Sequence, residues 1–192
     1  MSRQVASGPL ATVAVIMFLT VFAAAGLHLP GTVPWPGGVV PYEFDGALTV
    51  DQRQAYLDGL REYELAANVR FVERVAEPQW VHFKYVANGP NEVSPGYSPQ
   101  FVSIGLLMRG QICHEMGHSF GLEHEHQRAN RDDFITVHYG YIDPFYHAPF
   151  NILPTGIQFG GYDFESVMHY GRNVLANAPN VDTITTDAGY EK

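Results

Sequence analysis

Alternation of apolar and polar side chains divides the first half of the chain into short elements. Val39-Val40-Pro41-Tyr42-Glu43-Phe44 alternates enough to predict a strand, entered through the Pro/Gly-rich stretch Val33 to Gly38. Thr49 and Asp51 both offer N-caps for a helix running to about Asn68, with Ala55, Leu57, Leu60, Tyr63 and Leu65 as candidates for its buried side. Val69 to Val75 and Trp80 to Val86 alternate apolar with charged residues, which is the pattern of half-buried strands. His82, inside the second of these, reads as a strand residue facing solvent or a neighbour. Ala87 to Pro99, rich in Gly, Pro, Asn and Ser, predicts a loop around an edge strand. Phe101 to Leu106 is another short strand, and a second helix starts near Arg109. Beyond His124 the periodicity fades. Pro144, Pro149, Pro154, Gly156, Gly160 and Gly161 predict irregular chain. Phe134, Tyr139, Tyr141, Phe145, Tyr146, Phe150, Phe159 and Tyr162 read as a loop-rich core packed with rings.

Composition narrows the class. A chain of 192 residues suits one domain of ordinary size with a real core. Eleven basic against twenty acidic residues give a formal charge of −9, which argues against a nucleic-acid partner. Met1 to about Leu27 reads as a targeting segment: Arg3 supplies the positive charge, Leu10 to Phe22 the apolar run, and Ala23-Ala24-Ala25 a small-residue cleavage site. The predicted organisation is a signal peptide over residues 1–25, with an N-terminal anchor as the alternative, and one domain over 26–192. Either way the domain faces outward, and a cleaved leader leaves a secreted protein without stable membrane association. Cys113 is the sole cysteine, so no intramolecular disulfide can form. It reads as a small buried side chain, pointing about 100° away from that of its neighbour His114 on a helix.

The chemistry concentrates in His114-Glu115-Met116-Gly117-His118-Ser119-Phe120-Gly121-Leu122-Glu123-His124. On a helix, His114 and His118 are i and i+4, so both imidazoles leave one face about a turn apart. That spacing suits two nitrogens converging on one Zn2+, with Glu115 beside them as general base. Gly121 lets the chain leave the helix through a left-handed conformation, which brings His124 back as a third ligand. His126, His138 and His147 lack ligand spacing to this motif and read as ordinary surface or core histidines.

The extended H-E-x-x-H-x-x-G-x-x-H pattern is the metzincin signature, and further runs are specific to one branch. Ser166-Val167-Met168-His169-Tyr170 resembles a Met-turn. His124 to Asp133 resembles the H-E-x-x-R-x-x-R-D-D run of astacins, Tyr162 to Ser166 their Y-D-Y-x-S lead-in, and Trp35 to Tyr42 their W-P-x-G-x-V-P-Y opening. From about Pro34 to Thr186 the chain resembles an astacin-type zinc endopeptidase. The resemblance implies an α+β, zincin-like fold: an upper subdomain with a twisted five-stranded mixed sheet and two helices, above an irregular lower subdomain. It implies one catalytic Zn2+ on His114, His118 and His124, and protein or peptide substrates bound in extended form along the edge strand. Glu115 would be general base and then acid. Tyr170 would be a resting-state ligand that swings away to stabilise the oxyanion, and Glu125 would engage the mature N-terminus.

The chain departs from the pattern in three places. It lacks the family's disulfide cysteines. No F-x-G-D run precedes Val33, so no aspartate switch is expected. After Thr183-Ile184-Thr185-Thr186 the family continues through an I-G-Q-R-like segment into a C-terminal helix, whereas this chain stops at Lys192, and Arg172 is not assigned the specificity-pocket role. An alternative function is therefore a catalytically impaired fragment of the same fold that binds zinc and peptides. A structural zinc module is a third.

Overall fold

The computed structural model describes residues 25–94 and 99–186; the apolar leader lies outside them. The upper half begins with strand β2 (Val39–Phe44), after a short strand β1 (Gly26–His28) that belongs to the lower half. Helix α1 (Val50–Ala66) follows, then β3 (Arg70–Glu73), β4 (Val81–Tyr85), β5 (Glu92–Val93), β6 (Gln100–Ile104) and helix α2 (Arg109–Ser119). The sheet order is β3-β2-β4-β6-β5, parallel except for β5, which pairs antiparallel with β6 at one edge.

Thr49 starts α1 with a capping box. Its hydroxyl accepts from the Gln52 N–H, and the Gln52 side chain accepts from the Thr49 N–H at 2.9 Å. The helix buries Tyr56, Gly59 and Leu60, with Ala55 and Tyr63 packed alongside. This corrects the predicted face at two positions: Leu57 lies at the margin and Leu65 is 73% exposed. Gly59 shifts the stripe, because a β-carbon there would sit 2.5 Å from Ile112 of α2. The helices thus meet backbone against side chain. Tyr63 ties them further by donating to the Cys113 carbonyl at 2.7 Å. Val40, Val81, Phe83, Val102 and Ile104 of the sheet pack against Tyr56, Leu60, Ile112 and Met116 of the helices. Each such side chain contributes roughly 1.5–3 kcal/mol by leaving water.

The lower half has little regular structure, so its backbone groups need other partners. Strand β1 is sandwiched between β7 (Leu122–Glu123) and β9 (Ile157–Phe159), both antiparallel to it. Strand β8 (Ile135–Val137) pairs with β10 (Ile184–Thr186). Two buried arginines fasten the loops between them. Arg128 donates to the carbonyls of Gly26, Phe159 and Gly160, and Arg131 to those of His126 and Phe150. Ile135, Ile142, Phe150 and Ile184 form a second core, with Phe134, Tyr139, Tyr162 and Phe164 against it. Four of the predicted rings lie outside this core: Phe145 is 82% exposed, Tyr141 and Tyr146 also face outward, and Phe159 sits against His28 instead. The stretch read as a targeting segment ends at about Leu27, and of it only residues 25–27 are described. Leu27 is fully buried as the centre of β1. Among the described residues no helix is long and apolar enough to cross a membrane.

Candidate metal centre and cleft

Helix α2 carries His114, Glu115 and His118, then ends at Gly121, whose φ of +84° is the left-handed turn the sequence anticipates. A β-carbon on Gly121 would strike Thr32, so space as well as conformation demands glycine. The turn leads through β7 to His124. Ligand atoms of His114, His118 and His124 all lie within 4.8 Å of one another.

Hydrogen bonds fix the tautomers of all three rings. His114 Nδ1 donates to the Val167 carbonyl at 2.7 Å, and His118 Nδ1 to the Leu122 carbonyl at 2.8 Å. His124 Nδ1 donates to Gln127 Oε1 at 3.0 Å; that amide is oriented by its own Nε2 donating to the Asn151 carbonyl. A neutral imidazole with Nδ1–H presents a lone pair at Nε2. The Nε2 atoms of His114 and His124 lie only 3.2 Å apart. Two lone pairs at that separation repel unless a cation lies between them. The donor set therefore fits zinc, which takes neutral imidazole nitrogens whose other ring nitrogen is anchored. Burial, followed by the neighbouring imidazoles, pushes His118 down to about 4 and His124 down to about 3, so both are unprotonated at neutral pH.

Met168 is buried below the site, against Gly117. Glu115 is buried too, and desolvation followed by the charge of Glu92 raises its carboxyl to about 7. Tyr170 lies beside the triad, its ring 4.5 Å from that of His124, and burial raises its hydroxyl above the ordinary phenol value. Cys113 lies outside the triad: it is half-buried, and its thiol donates weakly to the Gly59 carbonyl at 3.6 Å. Arg172 pairs with Asp182 through one guanidinium edge, Nε donating to Oδ1 at 2.9 Å and Nη2 to Oδ2 at 2.8 Å.

One residue acquires a role that the sequence reading did not reveal. His126 is fully buried, with Nε2 donating to the Pro149 carbonyl at 3.0 Å and Nδ1 accepting the Tyr170 N–H at 3.3 Å. Its ring lies 4.3 Å from that of Tyr170, so it seats the tyrosine. Nothing in the sequence pattern marked this. Glu125 is fully buried and accepts from Arg128 and from the Asp163 N–H, both at 3.0 Å. Its second oxygen has no hydrogen-bond partner among the described residues. The same Arg128 nitrogen reaches the Gly26 carbonyl, which places the start of β1 one link from Glu125.

The triad opens into a cleft of about 520 Å³, with Glu115, His118, His124 and Tyr170 on one side and the edge strand β5 on another. Residues 30–191 match the family model Astacin, which describes a family of peptidases. Tolloid-like protein 2 of Mus musculus is 37% identical over 157 residues, covering 78% of this chain and 16% of the relative. Bone morphogenetic protein 1 of Xenopus laevis is 35% identical over 157 residues, covering 78% of this chain and 22% of the relative. The chain thus spans under a quarter of the length of these relatives. Among solved structures, the fold is similar to high choriolytic enzyme 1, a hatching enzyme zinc-protease from Oryzias latipes. The TM-score is 0.70 at 26% identity, covering 81% of this chain and 80% of that one.

Proposed function

The chain belongs to the astacin family of zinc peptidases, and from that premise we propose that it is a secreted endopeptidase hydrolysing peptide bonds in proteins. The observation that carries this reading is the convergence of three anchored imidazoles on one point beside a buried carboxylate. Zinc bound there supplies a Lewis acid that polarises the scissile carbonyl and lowers the pKa of its water to about 7.

The protein's own groups do the rest. His114, His118 and His124 hold the ion as neutral ligands, each oriented by a carbonyl or amide oxygen behind it. Glu115 accepts the water's proton and delivers it to the departing amine, a task suited to a carboxyl displaced toward neutrality. Tyr170, kept protonated by burial, donates to the oxyanion developing on the carbonyl; at rest its oxygen can serve as a further ligand. The outer edge of β5 carries no strand among the described residues, which supports binding of an extended peptide by strand addition. Secretion is part of the reading and rests on the apolar leader from Leu10 to Phe22.

Unfolded casein provides the test. Cleavage that a zinc chelator abolishes and added zinc restores supports the reading. A folded, zinc-loaded protein that leaves casein intact refutes it.

A further inference from the structure

Taking the peptidase reading as its basis, we propose that Glu123, with Glu92 on the edge strand, forms a cleft subsite that takes a lysine or arginine side chain of the substrate. Both carboxylates line the same cleft as Glu115, His118 and His124, and the lining contains no lysine or arginine. Glu123 lies in the wall immediately before the third histidine. Its backbone is fixed by pairing with Leu27 of β1, so the carboxylate is held at a set position rather than carried on a loose loop.

The state of Glu123 is what calls for a cation. It is half-buried, yet among the described residues no cationic side chain pairs with it and no side-chain hydrogen bond satisfies it. It also stays outside the group of side chains able to hold the metal, which comprises the three histidines. A partly desolvated carboxylate with no partner is costly. An ammonium or guanidinium arriving on a bound peptide removes that cost, whereas a glutamate side chain arriving there adds to it. Glu92 supplies a second negative charge from the exposed strand. The chain's net charge of −9 favours the approach of cationic segments over acidic ones.

The test reads binding without turnover. Zinc-loaded Glu115→Gln protein is titrated by fluorescence anisotropy with peptides in which lysine or norleucine is moved one position at a time. The two side chains have similar length and differ chiefly in charge. We expect lysine to bind about tenfold tighter than norleucine at one position, an advantage that shrinks with added salt. Adding Glu123→Gln should bring that ratio to about one, and Glu92→Gln should lower it in part. Each ratio is internal to one variant, so a general loss of affinity does not imitate the effect. Zinc content and a thermal melt confirm that each variant is folded. A protein with no lysine-preferring position, or one whose preference survives Glu123→Gln unchanged, overturns the subsite. Wild-type cleavage is scored separately: failure to cleave any peptide while the binding preference persists would sink the peptidase reading and leave the subsite standing.

Discussion

Gly117 in α2 and Met168 in the turn beneath it approach so closely that a β-carbon on Gly117 would overlap the methionine sulfur. The contact joins the helix bearing two histidines to the segment whose Val167 carbonyl orients His114. Glycine inside a helix ordinarily costs about 1 kcal/mol relative to alanine, so Gly117→Ala at an open site would stabilise. Here the overlap wins. We predict destabilisation of about 1–3 kcal/mol and weaker zinc binding, read by thermal melts and a zinc competition titration.

Tyr170→Phe removes the hydroxyl while keeping the ring against His124 and His126. The expected result is a loss of about 100-fold in kcat with KM little changed, since the donor acts on charge present only in the transition state. A loss confined to KM would show that Tyr170 binds substrate instead.

His126→Phe leaves the Pro149 carbonyl and the Tyr170 N–H without partners in a buried setting. Stability should fall by about 2 kcal/mol or more. If His126 seats Tyr170, kcat falls as well, and the double variant with Tyr170→Phe is little slower than Tyr170→Phe alone. Additive losses in the double variant would separate the two residues.

Glu43 gives a pH-dependent contribution far from the metal. Its carboxylate meets His82 at 2.8 Å and Arg74 at 3.2 Å, and the His82 hydrogen bond holds its pKa below the ordinary value of 4.5. A depressed folded-state pKa means the stabilisation is present above the unfolded value and is lost as pH falls through the folded one. The melting-temperature gap between wild type and Glu43→Gln should therefore be widest near neutrality and close below pH about 4.5. A gap that widens in acid contradicts the pairing. The cluster is partly exposed, so the effect should be modest and screened by salt.

The zinc motif was legible because helical geometry turns its spacing into a shared direction, and Gly121 adopts the conformation that spacing required. Thr49 as one of two N-cap candidates and the start of α2 near Arg109 were legible for the same local reason. Strand β1 was not. Gly-Leu-His is three residues long and continuous with an apolar leader, and only its two partner strands, distant in sequence, distinguish burial in a sheet from targeting. The face of α1 was misjudged at Leu57 and Leu65 because Gly59, which carries no apolar signal, makes the closest approach to α2. His126 escaped notice because its role lies in a hydrogen bond to Tyr170, across a loop that no periodicity describes.

The central claim is that Glu115 moves the proton and is not needed to hold the metal. Replacing it with glutamine and measuring zinc content and casein hydrolysis on one preparation tests this most directly. The account predicts one zinc per chain, retained, with turnover reduced about 1,000-fold. Undiminished cleavage by the zinc-loaded Glu115→Gln protein would contradict it.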